Sequence, residues 1–392
     1  MSLLPRPEIQ GAARCLHGGI DYVELETQGI TPQDILDFSA NLNPFGPPPG
    51  VMEAVNEVDI SHYPDSEASY LRRSLAEKLG IKAENILVSS GSTELIRLAA
   101  LAYFGNGDRV LIIEPTYGEY QVACQISGAS LVKQHLSSQN GFCLNTTETV
   151  ELIRQHCPKG IFVCNPNNPT GRYLSQAAFE RILDAGKNSL IVLDEAYVSF
   201  VDNAWSSLDL ALHSSLRVER SNLLVLRSMT KDYAMPGLRL GYGVARGKII
   251  ANLRRICPPW NVNTLAQKAG TIAIAKEEYL KQCQVELKEA KDYLKVALLG
   301  LGLPPLPSEA NFFLVEVGNA SRFRRELLKR KILVRDCTSF GLPQYIRIAS
   351  RTLPECQRLV ATIKETLMVI NQGTEHNIEE VKQTQAKWMT EG

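Results

Sequence analysis

The strongest constraint on this chain is a series of short apolar segments between about residues 66 and 260. They alternate with helical stretches and end in polar residues. Ile86-Leu87-Val88 runs into Ser89-Ser90-Gly91-Ser92-Thr93-Glu94, followed by a helical stretch, Leu95 to Phe104. Arg109 to Ile113 is a second strand, and Lys159 to Cys164, ending in Asn165-Pro166-Asn167-Asn168-Pro169-Thr170-Gly171, is a third. Leu190 to Leu193 ends in Asp194-Glu195, Leu223 to Leu226 precedes Ser228, and Leu240 to Val244 is a further strand. Such alternation predicts an α/β fold: a large domain with a mostly parallel sheet covered by helices on both faces. In sheets of this kind ligands sit beyond the carboxyl ends of the strands, so the polar residues there are the first candidates for a site.

The rest of the chain divides around that core. The Pro- and Gly-rich run Asn43 to Gly50 cannot continue a helix or a central strand. It predicts an N-terminal arm over 1–49 and a large domain over 50–262. Thr264 to Leu299 reads as one long Lys- and Glu-rich helix. The strands 312–315, 332–334 and 345–348 and a closing helix, 352–370, then predict a smaller α+β domain over 263–371. Residues 372–392 are a polar tail.

Charge and cysteine usage narrow the class. The chain has 42 Lys and Arg against 42 Asp and Glu, a formal net charge of zero, which argues against a global grip on nucleic acid or an acidic membrane. No apolar run approaches the roughly 20 residues needed to span a bilayer, and the first residues do not resemble a signal peptide. Nine scattered cysteines with no C-x-x-C pair predict reduced, mostly buried thiols in a cytoplasmic protein, and no metal site.

Four strand-end elements carry chemistry. Lys231 follows a strand within Ser228-Met229-Thr230-Lys231, and Arg239 follows it; an amine among small and apolar residues suits Schiff-base chemistry, and Ser228 and Arg239 can hold a phosphate. Alone, the loop is equally compatible with one solvated lysine. S-x-x-K also occurs in acyl-serine hydrolases, but their S-D-N and K-T-G partners are missing. Asp194, in Asp194-Glu195-Ala196-Tyr197, can keep a pyridine nitrogen protonated. By itself it fits an acidic strand-end turn better. Asn168 lies in a double Asn-Pro segment that forces extended or turn geometry. Ser92 and Thr93 open a helix where backbone N–H groups favour phosphate, and an ordinary Ser/Thr cap explains them too. Neither G-x-G-x-x-G nor G-x-x-x-x-G-K-[ST] occurs.

In this order, over nearly the whole chain, the four elements resemble the fold type I pyridoxal-phosphate enzymes of the aminotransferase class I/II group. The resemblance implies that Lys231 tethers pyridoxal 5'-phosphate and shuttles protons, that Asp194 faces the ring nitrogen, and that Tyr197 and Asn168 bond the ring's 3-oxygen. It implies Ser92, Thr93, Ser228 and Arg239 around the cofactor phosphate, Tyr117 stacked on the ring, and Tyr63 reaching across from a second subunit of a homodimer with shared sites.

Within that group, two relatives compete. Leu16-His17-Gly18-Gly19, Asp37-Phe38-Ser39-Ala40-Asn41 and Pro259-Trp260-Asn261-Val262-Asn263 are similar to motifs of the threonine-phosphate decarboxylases of cobalamin synthesis. Ile20, Ser92 and Tyr117 stand where that pattern usually has Asn, Glu and Phe. The resemblance implies His17, Asn41 and Arg335 as ligands of a substrate phosphate, and Arg347 as the clamp on an α-carboxylate. The expected reaction is thus loss of CO2 from the phosphorylated amino acid L-threonine O-3-phosphate, giving (R)-1-amino-2-propanol O-2-phosphate. A histidinol-phosphate-type aminotransferase is the alternative, and a non-catalytic protein that binds pyridoxal phosphate is the third reading.

Overall fold

Runs such as Val110-Leu111-Ile112-Ile113 and Ile191-Val192-Leu193 are buried throughout, which a strand achieves only inside a sheet covered on both faces. The computed structural model describes residues 3–11, 15–212 and 222–370, so the polar tail from 372 lies outside the described residues. β1 (Leu36–Asp37) belongs to the N-terminal segment. The main sheet consists of β2 (Ile86–Ser89), β3 (Arg109–Glu114), β4 (Ser130–His135), β5 (Gly160–Cys164), β6 (Leu190–Asp194), β7 (Leu223–Ser228) and β8 (Gly241–Val244). Their order is β2-β8-β7-β6-β5-β3-β4, with only β8 antiparallel to its neighbours. The carboxyl ends of β2, β5, β6 and β7 therefore open on one edge of the sheet. The α/β fold read from the alternation is present.

β4 has no counterpart in the sequence reading. It is the terminal strand, and Ser130, Lys133 and His135 are exposed along it, so it lacks the apolar run that marks its neighbours. Charged and polar residues protect such an edge from unwanted pairing.

A second unit contains β9 (Phe312–Glu316), β10 (Ile332–Leu333), β11 (Arg335–Asp336) and β12 (Tyr345–Ala349). β11, β12 and β9 form an antiparallel sheet. The expected strand at 332–334 is split: β10 pairs in parallel with β1, whereas β11 pairs with β12. The N-terminal segment is thereby stitched to this unit, and Phe38 is fully buried in its core beside Phe313 and Ile346.

The long helix expected from Thr264 is two helices, Thr264–Ile274 and Glu277–Gly300. The break falls where the chain passes between cores. Ala266, Ala269 and Ala273 pack with Leu71 and Leu240 beside the main sheet, while Ala290, Leu294 and Leu298 enter the smaller unit. Gly270 permits the first contact, since a Cβ there would stand 2.5 Å from Leu240. A closing helix covers 353–370. No helix among the described residues is long and apolar enough to cross a membrane.

Candidate active site

At the carboxyl edge of the main sheet lies an inner chamber of about 70 Å³, walled by Ser92, Thr93, Tyr117, Asn168, Asp194, Tyr197, Ser228, Thr230, Lys231 and Arg239. Every inner residue expected from the strand ends is there. The chamber shares Lys231, Tyr117, Asn168 and Tyr197 with an outer cavity of about 680 Å³ that also takes in His17, Asn41, Arg335 and Arg347.

Asp194 is the last residue of β6 and is buried. Its Oδ2 accepts from the Tyr120 hydroxyl at 2.8 Å and its Oδ1 from the Ala196 N–H at 3.0 Å. Burial pushes its carboxyl above the ordinary range, opposed by those two hydrogen bonds and by the charge of Lys231. Lys231 is driven the other way: burial first, then the charges of Arg347 and Arg239, bring its amine down to about 8. That value leaves a sizeable neutral fraction near neutral pH, which a nucleophilic amine requires.

The same chamber holds an anion seat. Ser92 and Thr93 begin the helix Ser92–Tyr103 with their N–H groups free of intrahelical partners. Gly91 precedes them at φ 77°, and a Cβ there would lie 2.8 Å from the Arg239 guanidinium. A Cβ at Gly241 would lie 2.8 Å from the Ser92 nitrogen. Both glycines leave space in the seat. The Ser228 and Thr230 hydroxyls, 2.7 Å apart, complete it. The Tyr117 hydroxyl lies 3.1 Å from Thr93 Oγ1, and its ring meets Tyr120 edge-on. A phosphate seat, a depressed amine and a buried carboxylate in one chamber fit a phosphorylated pyridine aldehyde.

The outer cavity lies where the N-terminal segment and the small sheet meet the large unit. Arg335 on β11 and Arg347 on β12 stand directly opposite in the strand register. Arg347 is buried at 5% exposure, donates to the Asn168 side-chain oxygen and, at 2.7 Å, to the Ser39 carbonyl, and lies over the Phe312 ring. Arg335 holds the arm by donating to the carbonyls of His17 and Leu16 at 2.7 and 2.8 Å. The Nε of each arginine is buried without a partner among the described residues.

One expected residue sits differently from the sequence reading. Asn41 gives its amide N–H to the Tyr197 hydroxyl at 3.3 Å, leaving a buried Oδ1 unpartnered. That free group is an acceptor, so as oriented it does not suit a phosphate. Tyr63 lines neither cavity; it is 78% exposed and stacks on Trp260 at 4.4 Å. His17 does face the outer cavity, but its Nε2 is engaged by Glu119 at 3.1 Å.

Sequence reasoning overlooked Tyr120, Thr230, Glu119 and Arg97. Glu119 is buried and also takes a hydrogen bond from Arg97 at 3.1 Å. The signal available was an acidic residue beside an aromatic at a helix start, which by itself reads as a cap.

The family model for aminotransferase class I and II matches residues 33–363, and this chain belongs to that family. It is 36% identical over 339 residues to a histidinol-phosphate aminotransferase of Moorella thermoacetica, covering 86% of each chain. A crystal structure of a Sinorhizobium meliloti histidinol-phosphate aminotransferase in complex with pyridoxal 5'-phosphate superposes with TM-score 0.82 at 23% identity, over 94% of this chain and 99% of that one. An L-threonine-O-3-phosphate decarboxylase from Porphyromonas gingivalis superposes with TM-score 0.74 at 27% identity, over 84% and 98%. The cofactor of this chain is pyridoxal phosphate, as the resemblance implied.

The decarboxylase reading is overturned. Relatives sharing 30–36% identity across most of this chain are histidinol-phosphate aminotransferases. The decarboxylase likeness rested on short motifs of the N-terminal segment and the 259–263 loop, whereas the similarity to aminotransferases extends through both units.

Proposed function

We propose that this member of the aminotransferase class I and II family transfers an amino group between a phosphorylated amino alcohol of the histidinol phosphate type and a dicarboxylate such as 2-oxoglutarate. The observation that carries the reading is the face-to-face register of Arg335 and Arg347. Like charges opposite one another on a sheet are unfavourable, so the pair calls for an anion between or before them. A phosphate monoester supplies one, and a dicarboxylate supplies two. The names of the relatives point to the same substrate class.

When bound, pyridoxal phosphate supplies a conjugated ring that accepts the electron pair released at the substrate α-carbon. The chain's own residues do the remainder. Ser92, Thr93, Ser228 and Arg239 would hold the cofactor's phosphate, and Asp194, fixed by Tyr120, would keep the ring nitrogen protonated. Tyr117 would stack on the ring, and Tyr197 and Asn168 would bond its 3-oxygen. The Lys231 amine, neutral in part, takes the proton from the α-carbon. Arg347 fixes the rotation of the substrate so that the Cα–H bond is the one presented, with Arg335 on the outer anion. Tyr63, exposed beside Trp260, serves the second site of a homodimer.

Purified protein given histidinol phosphate and 2-oxoglutarate should form glutamate. Absence of glutamate, together with CO2 release from threonine phosphate, would refute the reading.

A further inference from the structure

At the rim of the outer cavity stands a cluster that amino transfer does not explain. Cys15, His17 and Glu119 each offer one ligand atom, and the three atoms lie within 4.8 Å of one another. Two come from the N-terminal segment and the third from the first turn of the helix Glu119–Ser127. The cysteine spacing excludes a C-x-x-C site, but not ligands gathered by the fold.

We propose that Cys15, His17 and Glu119 form a binding site for a zinc-class divalent cation, which pins the N-terminal segment across the mouth of the cavity. A thiolate, an imidazole and a carboxylate are the ligand types zinc takes, and three protein ligands leave a fourth position for water. Tetrahedral bonds of about 2.0–2.3 Å place neighbouring ligand atoms roughly 3.3–3.8 Å apart, and the three atoms here lie within 4.8 Å of one another. His17 Nε2 is already 3.1 Å from Glu119 Oε1.

The surroundings support a built site. Glu119 is only 5% exposed, and its second oxygen is anchored by Arg97 at 3.1 Å, which leaves Oε1 aimed at the cluster. Gly118 makes room for the thiol, since a Cβ there would stand 2.6 Å from Cys15 Sγ. Arg97 and Arg335 oppose a cation and hold its affinity down. Binding breaks the Cys15 S–H bond, forms a sulfur–metal bond and releases the proton to solvent.

The test uses reduced, chelator-dialysed holoenzyme titrated with zinc chloride, read by metal content after desalting and by iodoacetamide labelling mapped to the Cys15 peptide. Zinc should bind at one equivalent per chain more in the wild type than in Cys15→Ser, and should slow Cys15 labelling about tenfold or more. Gly118→Ala keeps all three ligands but turns the thiol aside, and should weaken zinc by about tenfold. Equal zinc content in wild type and Cys15→Ser, or Cys15 labelling untouched by zinc, would overturn the site. These readouts do not depend on the substrate, so failure here leaves the amino-transfer reading standing, and the converse holds.

Discussion

The inner chamber and the outer cavity touch at Lys231, yet they are built in different ways. The chamber is walled by the carboxyl ends of strands in one sheet together with the turns and helix starts that follow them, so its parts are placed by short-range geometry. The outer cavity adds to the mouth of that chamber the N-terminal segment and two arginines of a separate three-stranded sheet. Cofactor chemistry is therefore held in a rigid frame, and choice of substrate lies in parts brought together over long range. Substitutions should divide the same way.

The largest effect should come from Lys231→Ala, which should remove the absorbance of the tethered ring and lower turnover by about 10³-fold or more. Asp194→Asn should keep the ring in place but reduce turnover by about 10²–10³-fold, read from steady-state rates at saturating substrate. Arg347→Lys should leave the ring's spectrum unchanged while lowering kcat/KM for the phosphorylated substrate about 30-fold or more. A changed spectrum in that variant would break the division between the two regions.

A pH measurement sharpens the comparison. The reactive amine is the unprotonated one, so attachment of pyridoxal phosphate to cofactor-free protein should accelerate as pH rises towards about 8 and level off above it. Because the charge of Arg347 helps lower the Lys231 amine, Arg347→Gln should move that midpoint to higher pH. The smallest effect should be that of Tyr120→Phe, which removes one hydrogen bond to a buried carboxylate. It should weaken cofactor retention by about 1 kcal/mol, roughly fivefold, in a competition titration.

The same contrast explains what could be read without coordinates. Ser92, Asn168, Asp194 and Ser228 were legible because an apolar run followed by polar residues marks a strand end directly. Tyr120 was not, because it is fully buried and stacks on Phe162 at 4.9 Å, so along the chain it looks like any core aromatic. β4 was missed because its exposed polar residues hide the strand, and the helix break near 275 because periodicity does not reveal a change of core. The reaction was misread for a physical reason as well. Loss of CO2 and loss of a proton differ by rotation about one substrate bond, which short motifs of the arm do not encode.

The bond between the N-terminal segment and the second unit has a consequence for how the molecule is made. Glu24 is clasped by Arg324, 300 positions further on, and Leu36 finds its strand partner only at Ile332. While the chain is being synthesised, every strand of the large sheet has left the ribosome before either partner exists. The anchoring of the N-terminal segment thus waits on residues made long after the strand ends that wall the cofactor chamber, and a copy stopped short of β10 would leave that segment without its strand partner.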